Sequence, residues 1–416
     1  MEVSRRAGSL KPSTTLAVTA KARELKAQGV EVVSFAAGEP DFDTPQRVKD
    51  ALIEALRRGE TKYAPVPGDP ATRKVIADKL TRENRLPGVT PDHVVISSGG
   101  KQSLALLLQA LIDPPSPGGA PAEVLLPTPA WVSYAPMTEL AQGRVVEIPT
   151  IAGADFKVTP AALERAITPN SRVLILNSPG NPTGTMYDES ELRAIAGVVA
   201  RAAATIAPNL VVVSDELYEK IIYAGIPHFS IGSVPEIAER TVTVNGLSKA
   251  YAMTGWRIGY LAGSAGFGLK VAKAVATLQS QSTTSIATFE LPAIRAALTE
   301  CAAEVEAMRR EYESRAKITY ALLKAIPGIV CPRPTGAFYA FPDISCCFGR
   351  QSPAGRRIDS AASFAGTLLE EAHVAVVPGE DFGAGGERCV RVTFACSEDE
   401  IRKGLGAMDR FIRALR

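Results

Sequence analysis

The feature that most constrains the fold is a series of short apolar runs that alternate with segments of helical pattern through the centre of the chain. These runs are rich in Val, Ile and Leu at consecutive positions, which is typical of strands covered on both faces. They occupy 94–97, 123–126, 172–177, 210–214, 241–245 and 258–262. Because such strands are usually joined by helical crossovers, the pattern predicts an α/β fold with a mostly parallel sheet flanked by helices.

The last third of the chain has a different pattern. Residues 286–326 are predicted to form one long helix that ends before Pro327. A helix is predicted near 360–371, followed by short strands at 375–377 and 390–394 and by a last helix that Ser397 caps. This mixture of short strands and helices predicts a smaller α+β unit.

The length of 416 residues is enough for two or three domains. We expect a large domain over 46–300 and a small domain formed by 1–45 together with 301–416. The Pro- and Gly-rich segment 113–122 is interpreted as a surface loop, and 342–358 as a second long loop.

The charge balance excludes some classes of partner. Lys and Arg number 46 and Asp and Glu number 44, which leaves a net charge of +2. A protein that binds nucleic acid or a membrane surface usually carries a larger excess of one sign. No apolar run approaches the ~18 residues of a membrane span, and the segment after Arg6 is too polar for a signal peptide. We therefore expect a cytoplasmic protein without nucleic-acid or membrane partners.

The cysteines and histidines argue against disulfides and metals. The six cysteines form no Cys-x-x-Cys pair, and the three histidines are far apart in the sequence. Neither spacing is typical of a disulfide framework or a zinc site, so we expect reduced thiols and no metal. With so few histidines, the chemistry is expected to depend on Lys, Asp, Tyr and Arg.

Two ionisable residues follow predicted strands at the edge where ligands of open α/β sheets bind. Asp215 follows the predicted strand 211–214. Its carboxylate has two possible roles, to pair with a ligand cation or to cap a loop. Lys249 follows 241–245, and a desolvated lysine there has a lowered pKa that suits Schiff-base formation. Arg257 is placed to hold a phosphate. Taken alone, Asp215 is better explained as a loop cap. Lys249 and Arg257 are explained equally well as solvated surface residues.

Three further segments offer groups that bind anions. The turn 98–102 joins a strand to a helix, and its glycines let backbone N–H groups approach an anion, although a tight turn without ligand explains it better by itself. Asn181, in the rigid turn 178–184, presents an amide where another strand ends. Arg391, on a predicted strand, either faces solvent or binds a carboxylate.

Together these segments resemble one family, the class I pyridoxal-phosphate-dependent aminotransferases of fold type I, and within it the bacterial branch of aspartate and aspartate/prephenate aminotransferases. The motifs that carry the resemblance are AGEPDFDTP (37–45), KYAP (62–65), GGKQ (99–102), NSPGNPTG (177–184), SDELY (214–218) and SKAYAMTGWR (248–257). The resemblance implies a large domain with a seven-stranded, mostly parallel sheet, a smaller α+β domain, pyridoxal phosphate as cofactor, and a homodimer with shared active sites.

The resemblance also implies a role for each residue that matches a motif. The catalytic residues would be Lys249, which binds the cofactor covalently, Asp215, which keeps the pyridine nitrogen protonated, and Tyr218. The cofactor-binding residues would be Gly99, Gly100, Lys101, Trp131, Asn181, Asp215, Tyr218, Ser248, Lys249 and Arg257, with Tyr63 from the second subunit. The substrate-binding residues would be Gly38, Trp131, Asn181, Arg391, Lys101, Lys11, Ser13 and Thr15.

The implied reaction is a ping-pong transfer of an amino group from aspartate to 2-oxoglutarate. Lys101, Lys11, Ser13 and Thr15 match positions that this branch uses for a distal carboxylate, so dicarboxylic substrates are expected. Lys11 also suggests that prephenate is accepted, although a solvated lysine explains it nearly as well. The alternatives that stay open are a prephenate, aromatic or alanine aminotransferase and a pyridoxal-phosphate-dependent C–S lyase. Gly180 departs from the family pattern, because many relatives have Asn there.

Overall fold

A computed structural model of the chain describes residues 3–8, 10, 14–223 and 225–416, with residues 5, 6 and 14–16 described by their backbone alone. Lys11 and Ser13 lie outside the described residues, as does the side chain of Thr15. The strands are β1 (Val33–Ser34), β2 (Val94–Ser98), β3 (Glu123–Thr128), β4 (Arg144–Pro149), β5 (Ser171–Asn177), β6 (Val211–Asp215), β7 (Thr241–Gly246), β8 (Ile258–Gly263), β9 (Tyr339–Ala340), β10 (Val374–Ala375), β11 (Val377–Pro378) and β12 (Val390–Thr393). The helices are α1 (Arg5–Gly8), α2 (Thr14–Ala27), α3 (Gln46–Arg57), α4 (Pro70–Arg82), α5 (Gly99–Leu111), α6 (Tyr134–Leu140), α7 (Pro160–Ala166), α8 (Glu189–Thr205), α9 (Pro235–Ala238), α10 (Ala265–Ser280), α11 (Leu291–Glu300), α12 (Ala302–Ala325), α13 (Ala361–Ala372) and α14 (Glu398–Ala414).

A seven-stranded sheet in the order β2-β8-β7-β6-β5-β3-β4 forms the larger part of the fold. Neighbouring strands are parallel except where β8 pairs with β2 and with β7. The predicted seven-stranded, mostly parallel sheet is therefore confirmed. Because β2, β3, β5, β6 and β7 run in one direction, their carboxyl ends lie along the same edge of the sheet, where a ligand site is expected.

Helices cover both faces of this sheet, which explains why its strands are apolar at consecutive positions. In β6, Val211 and Val213 pack on one face with Leu107 of α5. Val212 packs on the other face with Val199 of α8. The alternation follows from the two-residue period of a strand.

A smaller group of elements is built from both ends of the chain. Strands β9, β11 and β12 form one small sheet, and β1 pairs in parallel with β10. Phe35, just after β1, packs in one buried cluster with Phe338, Phe364 and Phe394. Strand β1 thus joins the C-terminal third of the chain through its pairing with β10, and the predicted division into a large and a small domain stays a prediction.

Two of the predicted elements are wrong in extent. The single helix expected over 286–326 is interrupted at Cys301, where α11 ends and α12 begins. The two helices pack against different elements, because α11 contacts α3 and α4 whereas α12 contacts α14 and β9. The single strand expected over 375–377 divides at Val376 because β10 pairs with β1 whereas β11 pairs with β12. Across the described residues, no helix combines the length and the apolar character that crossing a lipid bilayer requires.

A buried ion pair stabilises the segment that follows β6. The Lys79 side chain on α4 is only 2% exposed and pairs with the Glu219 carboxylate. Asn84 donates hydrogen bonds to Glu216 and Glu219, at 2.7 and 2.6 Å. Burial by itself raises the pKa of Glu219, but the Lys79 ammonium together with the smaller effects of His228 and Lys220 outweighs burial and lowers that pKa to about 2. The buried Glu219 carboxylate is therefore anionic and depends on the Lys79 ammonium and on nearby donors.

We expect Lys79→Met to lower the free energy of unfolding by about 3–5 kcal/mol, because it leaves the Glu219 carboxylate buried without its cation. The matched control is Lys74→Met on the same helix, where Lys74 forms an exposed pair with Asp78 that contributes about 1 kcal/mol or less. Urea unfolding followed by fluorescence measures both variants. Equal losses in the two variants would contradict the importance of the buried pair.

Candidate active site

The carboxyl edge of the sheet forms a cleft that combines charged and aromatic side chains. Asn177 ends β5 and Asp215 ends β6, while Lys249 follows β7 and the turn after β2 opens α5 at Gly99. The cleft is lined by Gly38, Gly100, Lys101, Leu104, Trp131, Val132, Ser133, Tyr134, Asn177, Asn181, Asp215, Leu217, Tyr218, Lys249, Tyr339 and Arg391. Parallel strands thus bring together residues that are far apart in the sequence.

Lys249 places an amine in this cleft. Its Nζ donates a hydrogen bond to the Gly38 carbonyl oxygen at 2.6 Å and lies 5.9 Å from the centre of the Phe338 ring. Burial, with a smaller contribution from the Arg391 guanidinium, lowers the pKa of Lys249 to about 8. Such an amine is partly neutral near physiological pH, so it can act both as a nucleophile and as a base.

Asp215 places a carboxylate in the buried part of the site, with 4% of its surface exposed. The Tyr134 hydroxyl donates a hydrogen bond to its Oδ2 at 2.7 Å, and the Leu217 backbone N–H donates to its Oδ1 at 3.2 Å. Burial raises the pKa of Asp215 to about 6, and the two hydrogen bonds act in the opposite direction. The carboxylate is therefore suited to pair with a buried cation.

Arg391 is held between two aromatic rings, with centroids of Tyr339 and Phe382 at 4.8 and 5.3 Å from its guanidinium carbon. Its two terminal nitrogens donate to the Asn181 side-chain oxygen at 3.0 Å and to the Ala36 carbonyl at 2.7 Å. Its buried Nε has no hydrogen-bond partner among the described residues. A buried guanidinium with an unused donor is suited to bind a carboxylate.

The segment that supplies Gly38 is fixed at two further points. The Asp41 carboxylate accepts hydrogen bonds at 2.7 and 2.9 Å from one nitrogen of Arg315, on α12. The Thr44 hydroxyl donates to the Ala252 carbonyl at 2.8 Å. Contacts with α12 on one side and with the loop after β7 on the other therefore hold Gly38 at the cleft.

Cationic side chains gather around the beginning of α5. Gly99 has a φ of +82°, and a Cβ there would collide with the Arg257 guanidinium. Arg257 donates to the Thr254 carbonyl at 2.8 Å, and the Lys101 Nζ lies 5.1 Å from the centre of the Trp131 ring. Burial, together with the nearby Arg257 charge, lowers the pKa of Lys101. Two cations beside a helix N-terminus form a site suited to a phosphate.

Most of the predicted site residues are brought together at this cleft. Three of the predicted site residues that the structure describes are not in the cleft lining but lie beside it, namely Gly99, Ser248 and Arg257. Ser248 is 5% exposed and adjoins Lys249. Tyr63 is the exception, because it is 91% exposed in a separate surface hollow.

Two tyrosines of the site are not among the residues predicted from the sequence. Tyr134 binds Asp215, and its position three residues after Trp131 is the signal that could have revealed it. The Tyr339 hydroxyl lies 2.9 Å from the Tyr218 hydroxyl. A Cβ on Gly38 would lie only 2.7 Å from the Tyr339 hydroxyl oxygen. Tyr339 lies in the aromatic run 338–341 of the small group of elements, and nothing in that run indicates a place in the site.

The residues present fit pyridoxal phosphate, the cofactor that the resemblance implies. The buried Asp215 carboxylate offers a partner for a protonated ring nitrogen, and Lys249 offers an amine of lowered pKa for the aldehyde. Arg257, Lys101 and the N-terminus of α5 offer partners for the phosphate. The unused Nε of Arg391 remains for a substrate carboxylate.

Comparison with known proteins agrees with this arrangement. The family model for aminotransferase class I and II matches residues 30–408. The aspartate aminotransferase of Geobacillus stearothermophilus is 41% identical over 415 residues, which cover 100% of both chains. The aspartate/prephenate aminotransferase of Thermus thermophilus is 44% identical over 416 residues, covering 99% of this chain and 98% of the relative.

Solved structures extend the likeness to the whole fold. The aspartate aminotransferase from Rhizobium meliloti has a TM-score of 0.92 and 37% identity, covering 100% of both chains. The Thermus thermophilus aspartate aminotransferase with maleate has a TM-score of 0.88 and 43% identity, covering 99% of this chain and 100% of that one. The chain therefore belongs to the class I and II aminotransferases, enzymes of fold type I that depend on pyridoxal phosphate.

Proposed function

We propose that the protein transfers an amino group from aspartate to 2-oxoglutarate, and that Lys249, Asp215 and Arg391 carry this reaction. The observation that supports the proposal is the placement of an amine, a buried carboxylate and a carboxylate-binding guanidinium around one cleft. The Geobacillus relative is named an aspartate aminotransferase, and the Thermus structure was solved with maleate, which is a dicarboxylate. Both names favour a dicarboxylic amino acid as the donor.

Each charged group has a defined task in this proposal. Arg391 binds the α-carboxylate of the amino acid and thereby orients its α-carbon. The Lys249 Nζ takes the proton from that carbon and later returns a proton, because a pKa of about 8 lets it exist in both states near neutral pH. When bound, pyridoxal phosphate supplies the electron sink that makes the α-proton acidic.

Other side chains would hold the cofactor. Asp215 would pair with the ring nitrogen, and Trp131 would cover one face of the ring. Tyr218 and Asn181 would hydrogen-bond the ring oxygen, and their positions in the cleft lining support this assignment. The phosphate would be surrounded by Gly99, Gly100, Lys101, Ser248 and Arg257.

Substrate choice is assigned to Lys101. Its ammonium lines the cleft above Trp131, where it would pair with the distal carboxylate of aspartate. The contributions of Lys11, Ser13 and Thr15 stay predictions. Prephenate is the second candidate substrate, because the Thermus thermophilus relative is named an aspartate/prephenate aminotransferase.

The cytoplasmic location also stays a prediction. All six cysteines are free thiols, which is consistent with a reducing compartment.

We expect the holoenzyme to convert aspartate and 2-oxoglutarate into oxaloacetate and glutamate. Lys101→Ala should lower kcat/KM for aspartate by about 10–100-fold, because a charge-assisted hydrogen bond contributes about 1.5–3 kcal/mol. Alanine lacks the distal carboxylate, so its kcat/KM should fall less than that for aspartate, and a loss shared by both donors reports the contact of Lys101 with the cofactor phosphate. Coupled assays with both donors measure this ratio.

Omission of 2-oxoglutarate provides the control for reaction type. A transaminase then stops after one turnover per site, whereas a C–S lyase acting on a sulfur amino acid releases ammonia and pyruvate continuously. Continuous release would overturn the proposal, and equal losses for aspartate and alanine would remove Lys101 from substrate choice.

We expect Tyr134→Phe to weaken cofactor binding at acidic pH. Asp215 must be ionised to pair with the ring nitrogen, and its pKa of about 6 is already raised by burial. Loss of the Tyr134 donor removes about 1.5–3 kcal/mol of anion stabilisation, which raises this pKa by about one to two units. As the pH falls, the variant should therefore lose affinity for pyridoxal phosphate at a higher pH than the parent protein.

Fluorescence titration in a Lys249→Ala background measures this midpoint without the titration of the amine. The matched control is Tyr187→Phe, since the buried Tyr187 hydroxyl contacts the Val158 backbone rather than Asp215. An unchanged midpoint in Tyr134→Phe would refute the electrostatic role of Tyr134.

The proposal includes a homodimer in which Tyr63 reaches the partner's site. The 91% exposure of this tyrosine in the single chain supports the assignment. A Tyr63→Ala subunit paired with a Lys249→Ala subunit should regain about half the parent activity, because one of the two sites then receives both native residues.

Co-expression with two different tags isolates the mixed dimer. The control pairs Lys249→Ala with Arg391→Ala, which damages both sites if these two residues serve the same subunit. Activity in the control, or none in the Tyr63 mixture, would contradict the shared-site arrangement.

A further inference from the structure

Tyr339 is a fully buried tyrosine in the lining of the cleft, and the function proposed above gives it no task. Its hydroxyl lies 2.9 Å from the Tyr218 hydroxyl, and the two ring centroids are 5.8 Å apart at an interplanar angle of 77°. Within the part of the chain that the structure describes, each hydroxyl is hydrogen-bonded to the other and to no further group. The two tyrosines therefore form a small polar unit inside an aromatic cluster.

The ring of Tyr339 is held from several sides. Its centroid lies 4.8 Å from the Arg391 guanidinium carbon and 4.8 Å from the centroid of the Phe338 ring. The hydroxyl occupies room that exists only because Gly38 has no side chain, since a Cβ there would approach the hydroxyl oxygen to 2.7 Å. Close packing thus fixes where the Tyr339 hydroxyl lies.

The backbone of Tyr339 joins two parts of the site. Strand β9 is antiparallel to β12, where Tyr339 pairs with Thr393, two residues after Arg391. On the other side, a Cβ on Gly184 would collide with the Tyr339 carbonyl oxygen, so the turn 178–184 packs directly against β9. Tyr339 is therefore anchored between the strand that carries Arg391 and the turn that carries Asn181.

Packing alone does not explain a tyrosine at this position. Phenylalanine has nearly the same shape, and a buried hydroxyl costs free energy unless it is hydrogen-bonded. The bond between Tyr218 and Tyr339 satisfies both hydroxyls, but two phenylalanines would avoid that cost altogether. The hydroxyl of Tyr339 is explained better by an effect on Tyr218.

Both hydroxyls keep their protons at neutral pH. Burial raises the pKa of Tyr218 and of Tyr339, and the opposing charge of Arg391 does not reverse either shift. Each hydroxyl can therefore donate one hydrogen bond and accept others, and the geometry permits either to donate to its neighbour. An anionic oxygen attracts a donor more strongly than a neutral hydroxyl does. Beside an anionic acceptor, Tyr218 donates to the anion and keeps its bond to Tyr339 only if Tyr339 is the donor.

We propose that Tyr339 is a positioning residue, which donates a hydrogen bond to the Tyr218 hydroxyl and thereby directs the Tyr218 proton to the ring oxygen of the bound cofactor. The contact between Tyr218 and the ring oxygen belongs to the function proposed above, on which this assignment rests. A hydroxyl turns freely about its C–O bond, but one that accepts from a fixed donor has its own proton aimed away from that donor. Tyr339 thus acts on the cofactor through Tyr218.

The first experiment measures how Tyr339→Phe changes the pH dependence of the visible absorption of the holoenzyme. This absorption changes when the nitrogen that joins the cofactor to Lys249 loses its proton. A donor to the ring oxygen favours that loss, because it stabilises the negative charge that remains on the oxygen. Tyr339→Phe weakens this donor, so the midpoint should rise by about 0.5–1 pH unit, which corresponds to one neutral hydrogen bond.

A double-substitution cycle tests whether Tyr339 acts through Tyr218. Tyr218→Phe should raise the midpoint by itself, and adding Tyr339→Phe should then cause almost no further rise. The matched control is Tyr312→Phe, which removes a buried hydroxyl from the same aromatic cluster. The Tyr312 ring centroid lies 5.4 Å from that of Phe338, so this substitution perturbs the same packing without touching Tyr218.

Tyr339→Phe should also keep the affinity of the holoenzyme for maleate, because the ring beside Arg391 is retained. An unchanged midpoint in Tyr339→Phe, the same rise with and without the Tyr218 hydroxyl, an equal rise in Tyr312→Phe, or a loss of maleate affinity would each overturn the positioning role. The absorption titration needs no substrate. Its failure is therefore distinct from failure of the proposed function, which would appear as a parent protein that does not transaminate aspartate.

Discussion

The site depends on keeping one carboxylate ionised inside the protein. Asp215 is buried at the end of a central strand, and burial by itself favours the protonated form of a carboxyl group. Its pKa nevertheless stays near 6, because a tyrosine hydroxyl and a backbone N–H each donate to one of its oxygens. A protonated ring nitrogen beside it would lower the carboxyl pKa further, while the carboxylate would raise the pKa of the nitrogen. Each charge would thus stabilise the other.

The same short segment also contributes to the stability of the fold. Asp215 and Tyr218 line the cleft, whereas Glu216 and Glu219 belong to the buried network around Lys79. The negative charge of Glu216 raises the pKa of Asp215. Because Lys79 compensates the charges of this network, the ionisation of the site and the stability of the core depend on one connected set of groups.

The sequence predicts those parts of the structure that leave a local pattern. Strands covered on both faces give runs of apolar residues, and Asp215 and Lys249 could be placed because each follows such a run. Tyr339 could not be placed, since its contact with Tyr218 joins residues 121 positions apart and no local pattern encodes it. The break at Cys301 was missed for a related reason: a helical pattern does not reveal where the chain must change direction.

Arg391 explains why a carboxylate site is assembled from distant parts of the chain. Its two terminal nitrogens each donate one hydrogen bond, to the Asn181 side-chain oxygen and to the Ala36 carbonyl. A guanidinium has five N–H donors, so donors remain on both terminal nitrogens as well as on the free Nε. A carboxylate can therefore bind in a bidentate manner without displacing either partner. Ala36 follows β1, Asn181 lies in the turn after β5 and Arg391 lies on β12, so the first two hold the guanidinium in place from parts of the chain that only the complete fold brings together.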